Sequence, residues 1–308
     1  MGGSGGGGFF SGGTSPDDLA RRTRQAEDKV QDEAFETGVS DFLASELADY
    51  NDRDVDGINA VFNAVKKDLE ADFEGTVDLL FGGSISKHTY IDGLSDVDAL
   101  VLMDRTELKG KEPKQLQKLL ADNLRARYGR NAVSVGTLAV TLTHDGKTIQ
   151  LLPALREGEK FKVASYDGKG WSHIDPAGFA KEMTKVNKAM DGKLVPCIKL
   201  AKAIIATFPE QRRLSGYHVE SLAIQIFKGD SKPMTTKAMC LHFFDQAATH
   251  VKEPIKDSSG QSVHVDEYLG DANSLERRIA ADGLGRVARR IRNADGAKSV
   301  QAWKELFE

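Results

Sequence analysis

Thr76 to Asp104 reads TVDLLFGGSISKHTYIDGLSDVDALVLMD, and the fold turns on it. Val77, Leu79 and Phe81 alternate as a strand does and run into the turn Gly82-Gly83-Ser84, after which a short helix-like stretch follows. After eleven intervening residues, Asp96-Val97-Asp98 opens a second apolar run. Glycines let a backbone approach a phosphate closely, and amides at a helix start face negative charge, so Gly83 and Ser84 are candidate phosphate ligands. Strand alternation predicts Asp96 and Asp98 on one face with Leu100, and Val97, Ala99 and Val101 packed behind. Two carboxylates one residue apart form a candidate two-metal site for Mg²⁺, which Mn²⁺ can also fill. Taken singly, Asp-x-Asp is common in solvated turns and Gly-Gly-Ser in plain loops; between two apolar strands at this spacing they read together as a site for a polyphosphate.

Composition sets limits on the rest. With 308 residues, 40% of them hydrophobic, the chain has material for two lobes sharing an interface. A net charge of −4 and a pI near 6.0 argue against a long polyanion such as DNA or RNA as main partner, because such binding is driven by neutralising phosphates. Cys197 and Cys240 lie in apolar stretches with no metal-ligand spacing, so both are expected to be reduced thiols. No apolar run reaches the roughly 18 residues a bilayer span needs, and the start lacks the basic and apolar regions of a signal peptide, so the expectation is a cytoplasmic protein. Residues 1–15 are Gly-rich and read as a disordered tail; without a following Lys-Ser/Thr or a flanking strand they are not a P-loop.

Patterning predicts helices first. Ser15-Pro16-Asp17-Asp18 opens a long helix to about Asn51, or two broken near Gly38, and Ile58, Val61, Phe62, Val65, Leu69 and Phe73 form the buried stripe of the next. After the two strands come a helix over Pro113 to Tyr128 and a hairpin, Val133 to Thr143 and Thr148 to Leu155, turning at His144-Asp145-Gly146. Past Glu157 the pattern is helical: Phe179, Met183, Val186 and Met190 form a stripe behind Asp175-Pro176, with further helices from Pro196, Tyr217, Thr235 and Leu275. Asp52 to Gly57 imitates the start of a calcium loop, but Asn63 stands where its bidentate glutamate belongs, and a helix N-cap is the simpler reading.

Leu194-Val195-Pro196-Cys197-Ile198-Lys199-Leu200-Ala201-Lys202 and Leu214-Ser215-Gly216-Tyr217-His218-Val219-Glu220, with the strand pair above and Val265 to Gly270 ahead of an arginine-bearing helix, resemble the bacterial cGAS/DncV-like nucleotidyltransferases. These are oligonucleotide cyclases of CBASS antiphage systems within the polymerase β-like superfamily. The resemblance implies an α+β fold: a nucleotidyltransferase lobe with a mixed sheet flanked by helices (16–160), then a helical nucleotide-binding lobe (161–308), the active site lying in the cleft between. It implies that Asp96 and Asp98 hold the metals, that Gly83, Ser84, Lys199, Lys202 and Ser215 hold the donor triphosphate, and that Tyr217 stacks on the base. Residue chemistry permits each role, since Lys199 and Lys202 are three apart on a helix, a serine before a helix can bond a phosphate or simply cap, and a tyrosine ring can carry a base or fill a core. His218, His88 and His173 receive no catalytic role.

One departure affects mechanism. The superfamily places a third acid ahead of a hydrophobic-hydrophobic-Pro-Ala sequence, and here Gln150 precedes Leu151-Leu152-Pro153-Ala154. An amide oxygen can ligate a metal but brings no charge and accepts no proton. Expected, then, is cyclic di- or trinucleotide synthesis from NTPs (ATP, GTP or both) with pyrophosphate release, a downstream effector that senses the product and, in some systems, a regulatory partner. The rivals are linear transfer to another acceptor and a catalytically weakened nucleotide-binding regulator. The arginines between Arg277 and Arg292 are expected to make ion pairs on a solvated face, and the ending Trp303 to Glu308 is not suited to conjugation.

Overall fold

The computed structural model describes residues 16–51, 55–73, 78–81, 89, 97–103, 108, 110–165, 167–229, 234–255 and 265–308, by backbone alone at 16–19, 55, 81, 97 and 98. Residues 1–15, read above as a tail, and Asp52 to Asp54, read as part of a helix N-cap, lie outside them.

One mixed sheet organises the first half. Its path is β1 (Asp78–Phe81), β2 (Val97–Leu102), β5 (Lys147–Glu157), β4 (Val140–His144), β3 (Val133–Val135), and β6 (Lys160–Ala164) and β7 (Trp171–Ile174) continue from the far end of β5. Among the described strands only β2 and β5 pair in parallel, and a parallel pair needs a crossover, supplied by α3 (Pro113–Tyr128). Pro153 sits mid-strand without an N–H to donate. It is tolerated because β4 pairs with β5 only up to Leu151 and β6 begins at Ala154.

Alternation divides the sheet's side chains between two faces. Leu79, Ala99, Val101, Val140, Leu142, Ile149 and Leu151 pack under α2 (Val55–Asp72) and α3, against Phe62, Val65, Leu69, Leu116, Leu120 and Leu124. On the other face Leu100, Leu102, Ala154 and Val163 form a smaller cluster with Leu80 and Leu152. Arg127 ties the two covering helices, reaching Asp68 at 2.9 Å and Asp72 at 2.6 Å.

The second half is helical: α4 (Pro176–Ala189), α5 (Leu194–Ala206), α6 (Gly216–Phe227), α7 (Thr236–His250), α8 (Leu275–Gly296) and α9 (Val300–Lys304). Asp175 caps α4, accepting the Gly178 N–H at 2.7 Å. The first helix, α1 (Pro16–Asn51), belongs to this half by packing, since Phe35, Val39 and Leu43 enter the helical core.

Of the two readings of α1 the single long helix holds: it runs unbroken through Gly38, whose lack of a side chain serves packing, since a Cβ there would lie 2.9 Å from Val300 Cγ2 of α9. Two expectations need correction. The stretch Val133 to Thr143 is two strands, folded back where Gly136 N–H bonds Ala139 C=O. Past Glu157 come β6 and β7 before any helix. The Asp145-Gly146 turn holds, with φ of 48° and 72° between His144 and Lys147, the left-handed pair that a two-residue hairpin requires.

Candidate active site

The site's sheet side is built on the parallel pair. Asp98 of β2 and Gln150 of β5 are Cα partners, as are Leu100 and Leu152 two residues on. Ile149 and Leu151 are buried beneath the helices, so the half-buried Gln150 belongs to the opposite face, with Leu152. The residue that stands for the third acid is thus beside the aspartate-bearing strand. Gly83, Ser84 and Asp96 lie outside the described residues, and Asp98 is described by its backbone.

Carboxylates and an amide oxygen are the hard donors that Mg²⁺ and Mn²⁺ take, so the donor types fit a divalent cation. Among the described residues no group of three or more His, Cys, Asp or Glu side chains forms a metal site.

On the helical side, α5 differs from expectation. All residues from Cys197 to Ile205 are buried, the lysines included: Lys199 is 2% exposed and Lys202 9%. The reason is packing on several sides, by α1, α4, α6 and α7. An ammonium out of water needs partners. Lys199 Nζ bonds Asn51 Oδ1 at 2.6 Å at the end of α1. Lys202 Nζ bonds Glu220 Oε1 of α6 at 2.7 Å and the Thr89 carbonyl at 3.2 Å, while the Thr89 hydroxyl also bonds Glu220. Thr89 comes from the segment between the Gly-Gly-Ser turn and Asp96, so a buried ion pair of the helical half holds a residue of the sheet half.

α6 begins over this pair. A Cβ on Gly216 would lie 3.3 Å from Lys202 Cε and Nζ, so glycine lets the Ser215-Gly216 turn settle onto the lysine. Ser215 is the N-cap, its Oγ accepting the His218 N–H at 3.2 Å. Capping uses one lone pair of the hydroxyl, which also bonds the Tyr268 side chain. Tyr217 is half-buried against Phe179, ring centroids 4.8 Å apart. His218 is fully buried, and burial pushes it down to about 4, against the Asp266 carboxylate that raises it. It is neutral at pH 7, in keeping with a structural role.

Sequence reasoning missed Glu220, Thr89 and Asn51 as partners of the lysines. Glu220 carried a signal: an acid inside the apolar helix from Val219 to Phe227 has to find a cation. Asn51 and Thr89 carried none, because their partners are 148 and 113 residues away. The arginines of α8 divide as expected for the exposed ones, Arg286 pairing with Asp282 and Arg292 with Asp245 at 2.8 Å, whereas Arg277 is fully buried.

A mixed sheet carrying an aspartate strand beside the Gln150 strand, followed by a helical half with buried lysines, has the architecture of a polymerase β-like nucleotidyltransferase. Residues 36–187 match the Second Messenger Oligonucleotide or Dinucleotide Synthetase domain (SMODS). That match takes in just under half of the chain, and over it the chain is similar to the synthetases of this family. The fold is shared with solved structures at low identity. A CdnE cyclic dinucleotide synthase from Elizabethkingia meningoseptica superposes with TM-score 0.59 at 13% identity, over 75% of this chain and 90% of that one. CdnC from E. coli MS115-1, solved in complex with HORMA-deltaN, gives 0.60 at 16%, over 82% and 90%. Escherichia coli DncV in a 3'-deoxy GTP bound form gives 0.59 at 12%, over 94% and 88%. Comparison with curated proteins found no match. No helix among the described residues is long and apolar enough to cross a membrane.

Proposed function

We propose that this nucleotidyltransferase makes a cyclic di- or trinucleotide second messenger from NTPs, ATP or GTP among them, releasing pyrophosphate, as the synthase of a CBASS antiphage system. The observation that carries this is the pairing of Asp98 with Gln150 on adjacent parallel strands within a SMODS domain. Asp96 and Asp98 would hold the divalent cations, Mg²⁺ or Mn²⁺, which supply charge neutralisation to the triphosphate and lower the pKa of an attacking hydroxyl. Gly83 and Ser84 hold phosphates from the sheet side. Lys199, Lys202 and Ser215 hold them from the helical side, Lys199 by leaving Asn51 and Lys202 by loosening its bond to Glu220. Tyr217, backed by Phe179, stacks on the donor base, a contact worth roughly 1–3 kcal/mol in other nucleic-acid binders.

Such a site works by positioning and by stabilising charge, so loss of the aspartates removes turnover. Incubating the protein with each NTP in Mg²⁺ and in Mn²⁺, followed by mass spectrometry of phosphatase-treated products, tests this: a closed ring has no terminal phosphate to lose. Ring products from the native chain and none from Asp96→Asn/Asp98→Asn are expected. Equal product from both proteins would overturn the assignment, and phosphatase-sensitive products would favour linear transfer.

A second reading is motivated by Gln150 itself. With an amide in place of the third carboxylate, the attacking hydroxyl loses a proton acceptor while the triphosphate keeps its ligands. Nucleotide binding then outlasts turnover, as suits a weakened enzyme or a regulator. The product's effector and any regulatory partner, of the kind seen with CdnC and HORMA-deltaN, belong to the same proposal.

A further inference from the structure

Ser215 and Tyr217, the proposed phosphate and base contacts, sit in one turn at the start of α6, and a single hydroxyl, which also meets the Ser215 side chain, grips that turn at two further points. Tyr268 Oη accepts the Ser215 N–H at 3.1 Å and lies 2.8 Å from His218 Nδ1. The two bonds fall on either side of Gly216 and Tyr217. We propose that Tyr268 is a positioning residue for the donor nucleotide, holding Ser215 and Tyr217 in the geometry that receives triphosphate and base. This inference rests on the reading of those two residues given above.

The grip is itself braced. Asp266, two residues before Tyr268, is 1% exposed and accepts from Arg277 at 2.7 Å and from the Ile255 N–H at 3.1 Å. Arg277, also 1% exposed, donates further to the carbonyls of Asp266 at 3.4 Å and Gly270 at 2.9 Å, on either side of the turn Glu267–Leu269 that carries Tyr268. The proton directions agree with this role. Asp266 Oδ2 lies 3.8 Å from His218 Nε2, which favours the proton on that nitrogen and leaves Nδ1 to accept from the Tyr268 hydroxyl. Serine N–H, tyrosine O–H and imidazole then form a chain of bonds in one sense, each polarising the next. Burial pushes Tyr268 up to about 12, so its proton is in place at neutral pH. The rings of His218 and Tyr268 meet edge to face with centroids 5.8 Å apart, a contact that phenylalanine preserves.

Tyr268→Phe is therefore the informative variant. ATP and GTP are titrated separately in Mg²⁺ with pyrophosphate release as readout, and binding of a non-hydrolysable ATP analogue is measured by calorimetry. Expected is a rise of about tenfold in KM and in the analogue's Kd, within what the loss of the hydroxyl's bonds to the turn supplies, with kcat within about threefold. In a Ser215→Ala background the further loss on adding Tyr268→Phe should be smaller, since the two act on one contact. If Ser215→Ala raises KM and Tyr268→Phe leaves it within about twofold, or moves kcat instead, the positioning role is refuted and the site reading stands. If Ser215→Ala and Tyr217→Ala both leave KM unchanged, the site reading itself fails. Should Tyr268→Phe not fold, His218→Leu removes the second bond and carries the same expectation: a several-fold rise in KM supports the grip, and an unchanged KM overturns it.

Discussion

Replacing Lys202 with methionine removes the cation from a carboxylate that is 1% exposed while nearly preserving volume. At 2.7 Å the pair attracts by about 6 kcal/mol at an effective dielectric constant near 20, and most of that offsets the cost of taking both charges out of water. The net worth of the intact pair is therefore small, but the cost of breaking it is not: a buried charge left without its counter-ion typically costs about 3–5 kcal/mol. Glu220 keeps its bond to the Thr89 hydroxyl, which places the expected loss at the lower end, about 3 kcal/mol. Adding Glu220→Gln removes the stranded charge and should recover most of it, leaving the double variant within about 1 kcal/mol of the native chain. Urea denaturation of the four proteins, followed by Trp303 fluorescence in a Trp171→Phe background, reads the helical core, where Trp303 is fully buried. A loss below about 1 kcal/mol for Lys202→Met alone would mean that water reaches the pair, and the reasoning from burial would be wrong.

Two further outcomes are expected. Gln150→Asp should raise pyrophosphate release at saturating NTP by about tenfold or more in Mg²⁺, because a proton acceptor returns beside Asp98; an unchanged or lower rate would mean that the amide suffices. Acid should destabilise the fold through His218. Its folded value of about 4 lies below the ordinary 6.5, so above pH 6.5 it contributes nothing to the pH dependence, and between pH 6.5 and 4 the unfolded chain takes up a proton that the folded one refuses. The loss reaches about 3 kcal/mol near pH 4; the difference in urea midpoint between pH 7 and pH 4.5 should shrink in His218→Gln, and equal shifts in both proteins would refute it.

What could be read from the chain was local. Pro113 and Tyr128 bound a helix, Asp175-Pro176 caps another, and Asp145-Gly146 makes its turn because in each case the deciding residues adjoin the feature. Strands β6 and β7 escaped although Phe161 and Val163 alternate with Lys160 and Lys162, since a five-residue strand gives little periodicity and depends on pairing with β5. The fold back at Gly136 lacked an Asn-Gly or Asp-Gly signal. For the site, residue types and spacing were legible, including Gln150, which the register sets opposite Asp98. The surroundings of the lysines were not. Three-residue spacing describes a helix face, but whether that face meets water is settled by α1 and α6, far away in the chain.

The hydrophobic cores of sheet and helices have no residue in common among those described. A substitution that opens a hole at Leu151 has few apolar contacts through which its cost could reach Phe243 or Leu284, and the reverse is equally true. Harm within either core is thereby compartmentalised, and it reaches the other half through polar contacts such as the buried Lys202–Glu220 pair on Thr89.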